Sequence, residues 1–423
     1  MAEARPTKPA ELERLRRRTV ASLVAGVALG STGHIAAVTV ATIVAKHISG
    51  GTTAWSGAPG ATVVLGAAAG AVALSWVMVR RGRRFGLAAG YVVGVVGAFI
   101  ATGSILVSSL PLLLIGTVLI GFGNASNQLS RYTAADLISP DRRASAIGVV
   151  VWGSTIGAVV GPNLVAPAGD IALAIGLPEL AGPYLVPIVF VGAAALLSVL
   201  LLRPDPYVLA DPSSRHDSAE AGAAVGSTAT SVASVLARPN VPVAVVALVA
   251  GQFVMVLIMT MTPLHMFDHG HDLTSVGVVI SGHTFGMYGL SPISGRLTDR
   301  FGSVPVILAG LAVVAFASVL AAAAPPDGGA VLFIALFLLG YGWNLGYVAG
   351  SALLTTGLSL AERTRVQGLT DGLIWSSAAV ASLGSGVVLA YAGYAILGLL
   401  GAALVVVPIL LVIARRSAVS GIA

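Results

Sequence analysis

Gly295-Arg296-Leu297-Thr298-Asp299-Arg300-Phe301-Gly302 closes one long apolar segment, at about 273–294, and is followed at once by another, at about 304–324. A charged connection this short cannot leave the surface of a bilayer, so both flanking segments read as membrane helices. Gly295 lets a neighbouring helix approach closely. Asp299 falls where a helix enters the headgroup layer, near Arg296 and Arg300, two cations able to pair with it. Gly302 supplies the permissive backbone that a tight turn needs.

The chain around this octet has 423 residues, 56% of them hydrophobic and only 9% charged, with a mean hydropathy of +0.94. Apolar runs long enough to cross a bilayer recur throughout, which excludes a soluble domain and implies a polytopic helical membrane protein. The first run is too long for a signal peptide and reads as a retained helix. No cysteine is present, so disulfide and thiol chemistry are excluded. The net charge of +6 suggests nucleic acid only until its distribution is read. The 23 Lys and Arg fall almost entirely in alternate loops. They occupy the N-terminal tail, Arg80, Arg81, Arg83 and Arg84, Arg142 and Arg143, Arg203, Arg215 and Arg238, the octet, Arg363 and Arg365, and Arg415 and Arg416. Lys46 falls in the opposite set and Arg131 inside a helix. This asymmetry predicts both termini in the cytoplasm of a plasma (inner) membrane protein.

Twelve helices are expected at roughly 19–46, 58–80, 85–107, 110–138, 143–167, 182–202, 241–267, 273–297, 304–324, 329–358, 364–392 and 395–414. Residues 1–18 read as a polar tail, 19–202 and 241–414 as two six-helix bundles, 203–240 as a cytoplasmic linker and 415–423 as a second tail. Residues 227–238 of the linker are expected as a short helix on the membrane surface. The halves echo each other. An offset of 220 (299 − 79) sets Asp299 to Gly302 on Val79 to Gly82, and one of 223 (375 − 152) sets Trp375 on Trp152.

The octet matches Gly-x-Leu-x-Asp-Arg-x-Gly at every fixed position and resembles the signature between the second and third helices of each half of the major facilitator superfamily. The resemblance covers residues 19–415. It implies an all-α membrane fold of two six-helix bundles related by pseudo-two-fold symmetry, with substrate bound near mid-membrane and no cofactor. It also implies that the octet, with Asp299 and Arg300, helps lock the cytoplasmic side. The first-half copy is degraded: Ser75 stands for the glycine and Val79 for the aspartate, while Arg80, Gly82, Arg83 and Arg84 survive; Asp136, near the end of helix four, is a further candidate for the cytoplasmic gate. Helix five carries Gly153, Gly157, Gly161 and Pro162, which resembles the motif of the superfamily's proton antiporters; Asn163 and Leu164 replace the glycines that follow it there. The four-residue spacing also suits plain helix packing, here at the interface of the halves, and Pro162 can bend the helix. The family's usual helix-four arginine is missing, and Thr117 stands in its place.

By the same resemblance helices one, four, seven and ten line the cavity. Asn124, Asn127, Gln128 and Arg131 share one face of helix four by spacing. Arg131 can snorkel to the headgroups or pair with Asp136. On helix ten Tyr341, Trp343, Asn344 and Tyr347, joined by Gln252 of helix seven, suit an organic substrate, or else aromatic packing into glycine gaps. His34, Asp371 and His283 are the candidates for carrying a proton. Each has a structural alternative: a histidine bonded to a carbonyl, or a carboxylate paired near the gate, with Arg365 the near cation in sequence. His265, His269, His271, Asp268 and Asp272 crowd an outer loop, where a hydrated loop is expected and not a metal site. The reading is a monomeric secondary transporter, not an enzyme, whose partners are a small organic substrate, protons and the bilayer. Proton-coupled efflux is favoured. Import or uniport of an organic anion or sugar stays open, as does a lipid-moving or sensor role.

Overall fold

Two single-residue turns set the helix spacing in the computed structural model. Helix α2 (Ala58–Arg81) and α3 (Arg83–Leu106) are joined by Gly82 alone, at φ 88°. Helix α12 (Ser291–Phe301) and α13 (Ser303–Ala322) are joined by Gly302 alone, at φ 86°. A left-handed φ of this kind strains any residue with a Cβ, so the two glycines at corresponding places in the halves are what the turns require. The structure describes residues 9–49, 58–210, 236, 238–271, 273–325 and 328–420. The surface helix expected at 227–238 falls almost wholly outside them.

The remaining helices are α1 (Pro9–Ile48), α4 (Leu110–Leu137), α5 (Arg143–Asn163), α6 (Val165–Ala174), α7 (Gly182–Leu201), α8 (Pro206–Ala210), α9 (Asn240–Met259), α10 (Thr262–Asp268), α11 (Leu273–Tyr288), α14 (Gly329–Leu353), α15 (Leu360–Ala392) and α16 (Tyr394–Ser420). Among the described residues, eleven helices are long and apolar enough to cross a membrane, and no strand occurs. The expected eighth span is broken into α11 and α12. Pro292 has no N–H to donate at that point, and the Ser291 hydroxyl takes the Tyr288 carbonyl at 2.7 Å. Helix α5 stops at Asn163, one residue after Pro162 and short of the expected 167, and α6 covers the end of that expected helix and part of the loop expected after it. Helix α1 starts at Pro9, inside the stretch read as a tail, because Ala10 to Leu15 are helix formers and Arg17 pairs with Glu13 one turn back at 2.9 Å.

The chain divides into two compact units. Unit 1 is Met1–Ser139, Gly153–Thr230 and Leu360–Gly372; unit 2 is Pro140–Trp152, Ser231–Ser359 and Leu373–Ala423. In unit 1, α4 packs on α2 and α3, and α7 on α1 and α3. A Cβ on Gly66 of α2 would lie 2.0 Å from the Val118 carbonyl oxygen, and one on Gly97 of α3 would lie 2.6 Å from that of Gly116. In unit 2, α14 packs on α11 and α13, and α16 on α13. There a Cβ on Gly310 would lie 2.7 Å from the Gly342 oxygen, and one on Gly398 would lie 2.5 Å from that of Ser318. Lipid tails are as apolar as leucine, so close backbone contact, not water exclusion, holds such helices together.

Candidate functional site: a buried polar ladder and an aromatic platform

Arg363, Gln367 and Asp371 recur every fourth residue along the first part of α15 and therefore share one face. In unit 1 this face meets a polar group at each step. Arg363 lies 3.8 Å from the Asp136 carboxylate of α4, and Arg83 of α3 donates to that carboxylate at 2.7 Å and to Gln367 at 2.9 Å. Arg131 of α4 donates to Asp371 at 2.6 Å, and the Tyr132 hydroxyl lies 3.2 Å from the same oxygen. The side chains of Arg131 and Asp371 are each 1% exposed. At that depth only a partner of opposite charge and short hydrogen bonds make the charges tolerable. The glycines beside the ladder allow the approach: a Cβ on Gly368 would lie 2.0 Å from Ser75 Oγ, and one on Gly372 would lie 2.9 Å from Val72.

This geometry corrects three expectations. Arg131 does not snorkel; it is buried and pairs with Asp371. Asp136, five residues on along the same helix and so on a different face, takes Arg83 and Arg363 instead. Asp371 is met by Arg131, not by Arg365, because residues six apart on a helix do not face each other. Sequence reasoning missed Tyr132, Arg363 and Gln367; the four-residue spacing of Arg363, Gln367 and Asp371 was the available signal.

Unit 2 carries the counterpart seam. A Cβ on Gly295 would lie 2.6 Å from the Ala144 carbonyl oxygen. The Asp299 carboxylate accepts from the Ala144 and Ser145 amides at 3.0 and 2.9 Å, so it caps the first turn of α5. Its partners are thus backbone amides and not the neighbouring arginines, and the Arg300 guanidinium lies over the Phe301 ring at 5.2 Å. Ser75 faces Gly368 in one seam and Gly295 faces Ser145 in the other, so the small residue has changed sides. The cap of the first half comes from Asp205, which accepts from the Arg83 and Arg84 amides at 3.1 and 3.0 Å across Gly82. Burial pushes the Asp205 carboxyl up from its ordinary value, against these amides and that of Tyr207, which draw it back.

The aromatic candidates of unit 2 form a platform. Trp343 and Tyr347 stack with centroids 4.4 Å apart and planes 20° apart, and Tyr288 meets Trp343 edge-on at 6.0 Å. The indole N–H donates to the Gln252 side-chain oxygen at 2.8 Å, which fixes the ring. The gap beside them, lined by Leu248, Leu311 and Val314 as well as Gly251, Gly342 and Gly346, is only about 10 Å³. That is about the room of one water, far below the roughly 300–1,000 Å³ of ligand pockets, so the rings are packed against their neighbours here. Tyr341 is half-buried. Asn344 does other work: its amide donates to the Met287 carbonyl and Ser291 Oγ, both at 2.7 Å, and accepts from Ser294 Oγ at 2.5 Å. Those bonds pin the α11–α12 break to α14.

The other candidates are dispersed. His34 is half-buried in α1, and its Nδ1 is buried with no hydrogen-bond partner among the described residues. Asn124 is buried. Asn127 accepts from Tyr91 at 2.9 Å while its Nδ2 has no such partner, and Gln128 accepts from Arg131 through its backbone oxygen at 2.6 Å. His283 lies 2.8 Å from the Leu336 carbonyl, the carbonyl-bonded alternative. Gly153, Gly157 and Gly161 pack on α1, within unit 1, and not at an interface of the halves: a Cβ on Gly157 would lie 2.4 Å from Ser31 Cβ. Pro162 is exposed. Of the outer histidines, His269 is exposed in the turn after α10 and His271 follows it outside any helix, as a loop reading expects, but His265 does not. His265 lies in α10 and stacks on Tyr394 at 4.2 Å with planes 5° apart.

Long apolar helices joined by glycine seams, with the fully buried charges among the described residues held as hydrogen-bonded pairs, define a multi-pass membrane protein. The family model of the Major Facilitator Superfamily matches residues 20–382 and 243–422. YdeG, an MFS-type transporter of Bacillus subtilis (strain 168), is 36% identical over 397 residues, covering 93% of this chain and 91% of its own. The riboflavin transporter RfnT of Brucella anthropi is 30% identical over 400 residues, covering 93% of this chain and 96% of its own. The solved structure of the proton:xylose symporter XylE bound to 6-bromo-6-deoxy-D-glucose shares the fold, with a TM-score of 0.73 at 14% identity over 94% of this chain and 95% of that one. The chain belongs to the Major Facilitator Superfamily, and it is a transporter rather than an enzyme.

Proposed function

We propose that this chain exports a small, flat organic molecule across the plasma membrane by alternating access, in exchange for protons, as a monomer with both termini in the cytoplasm. The observation that carries the coupling is the buried pair of Arg131 and Asp371 with the Tyr132 hydroxyl beside it. A proton on Asp371 cancels the attraction that makes a buried guanidinium tolerable, so protonation and the position of α15 are energetically linked. The stacked Trp343 and Tyr347 with Gln252 at their edge support an aromatic cargo read by its face and rim. The relative named as a riboflavin transporter supports the same class. Import or uniport of an organic anion is the competing reading, and Asp371 occupying Arg131 disfavours it.

The test is transport in proteoliposomes under an imposed pH gradient, with riboflavin and a panel of flat heterocycles. Substrate is expected to move against the proton gradient and to stop when the gradient is collapsed. Transport indifferent to the gradient replaces exchange with uniport. Asp371→Asn is expected to remove the pH dependence while binding persists. Should His34→Gln remove it instead, with Asp371→Asn still pH-driven, His34 is the carrier.

A further inference from the structure

The four arginines around Gly82 do not do one job. Arg83 faces inward, fully buried on Asp136 and Gln367. Arg80 and Arg81 face outward and are exposed. Neither meets a carboxylate among the described residues; each meets a ring. The Arg80 guanidinium lies 3.4 Å from the centre of Trp76, and that of Arg81 lies 4.9 Å from Phe85 across the turn. Trp76 is 54% exposed and Phe85 is 45% exposed, so these rings are not core residues that happen to have charged neighbours.

The order along the helix matters more than the count. Val72, Trp76 and Arg80 recur every fourth residue, all exposed, and their chemistry runs from aliphatic through aromatic to cationic toward the end of α2. Arg81, at the end of α2, is followed by the exposed Phe85 and Val92 of α3, which packs beside α2. Both stripes thus lead from acyl-chain depth, past an interfacial ring, to a guanidinium. A guanidinium held over a ring spends none of its N–H donors on that ring's face, so both cations keep donors for phosphate oxygens.

We propose that the α2–α3 turn is a binding site for one anionic phospholipid, with its phosphate held between Arg80 and Arg81 and its acyl chains along Val72, Trp76, Phe85 and Val92. The occupant is a bilayer lipid and not a soluble anion, because the cations stand at the end of apolar tracks that only a tail can cover.

Native mass spectrometry of the purified full chain in detergent tests this, using phosphatidylglycerol and phosphatidylcholine of matched tails. The wild type is expected to retain the first phosphatidylglycerol much more tightly than phosphatidylcholine. Each lost arginine is expected to weaken phosphatidylglycerol about fivefold, so Arg80→Gln with Arg81→Gln weakens it about 25-fold and leaves phosphatidylcholine unchanged. Trp76→Leu with Phe85→Leu keeps the charge but removes the stacking, and is expected to give an intermediate loss; this pair also serves if the arginine variant proves unstable. Arg415→Gln with Arg416→Gln is the control and is expected to change little. The proposal is overturned if the control loses as much as Arg80→Gln with Arg81→Gln, if the latter keeps wild-type selectivity, or if glycerol phosphate displaces the lipid at equal concentration.

Discussion

Breaking the pair between Arg131 and Asp371 has a calculable cost. The charges are 2.6 Å apart, and each side chain is 1% exposed. Arg131→Met leaves a carboxylate buried beside the Tyr132 hydroxyl, and Asp371→Leu leaves a guanidinium buried beside that hydroxyl and the Gln128 carbonyl. A buried charge stripped of its partner costs about 3–5 kcal/mol, so each single variant is expected to lose that much. Replacing both partners with apolar groups of similar size is near neutral, so the double variant is expected to lose about 1 kcal/mol or less. The cycle therefore yields a coupling of at least about 5 kcal/mol, above the usual 0.5–3 kcal/mol of contacting residues. Tyr132→Phe is the control and removes hydroxyl bonds worth roughly 1–3 kcal/mol. Equilibrium unfolding of the full chain in mixed micelles measures all four species. Single variants that lose under about 1 kcal/mol, or a double that loses the sum of the singles, would show that Arg131 and Asp371 are not a buried, mutually dependent unit.

Three further outcomes are expected. Gly368→Ala drives a Cβ to 2.0 Å from Ser75 Oγ, so it is expected to lower the melting temperature by overpacking of about 1–3 kcal/mol, and Ser75→Gly in the same chain is expected to restore much of it. Asp299→Asn keeps the shape but loses the charge capping α5, at a cost of about 1–2 kcal/mol; transport is expected to slow with little change in substrate affinity, and a large affinity loss at unchanged maximal rate contradicts that placement. Arg215→Cys, in a chain that has no other cysteine, is expected to label only after permeabilisation, and labelling from outside intact cells refutes the assigned orientation.

How far the sequence carries can be followed residue by residue. Gly302 between two apolar runs predicted a turn too tight to leave the membrane, and α12 and α13 are joined by that residue alone. The broken eighth span was less visible. Pro292 was in plain sight, but whether a proline breaks a helix depends on who takes the freed carbonyls: here the Ser291 hydroxyl takes that of Tyr288, and Asn344 takes that of Met287 from another helix. Arg131 shows the same limit. Its position seven residues inside a helix marked it as costly and therefore partnered or displaced, without saying by whom.

Length, hydropathy and charge asymmetry are properties of short windows, so the sequence by itself determined that this is a polytopic helical membrane protein, roughly where most of its long helices lie and which residues share a face. It also carried the family, through eight consecutive residues that are legible as a pattern without their partners in α5. Which faces meet was decided only by the tertiary structure. Arg131 and Asp371 are 240 residues apart, and no periodicity links them; Arg363, Gln367 and Asp371 form one stripe, but a stripe does not name its partner. Contact between such stripes is settled by the close approach that glycines such as Gly368 allow, summed over whole helices, and by the cost of leaving any one buried charge unpaired.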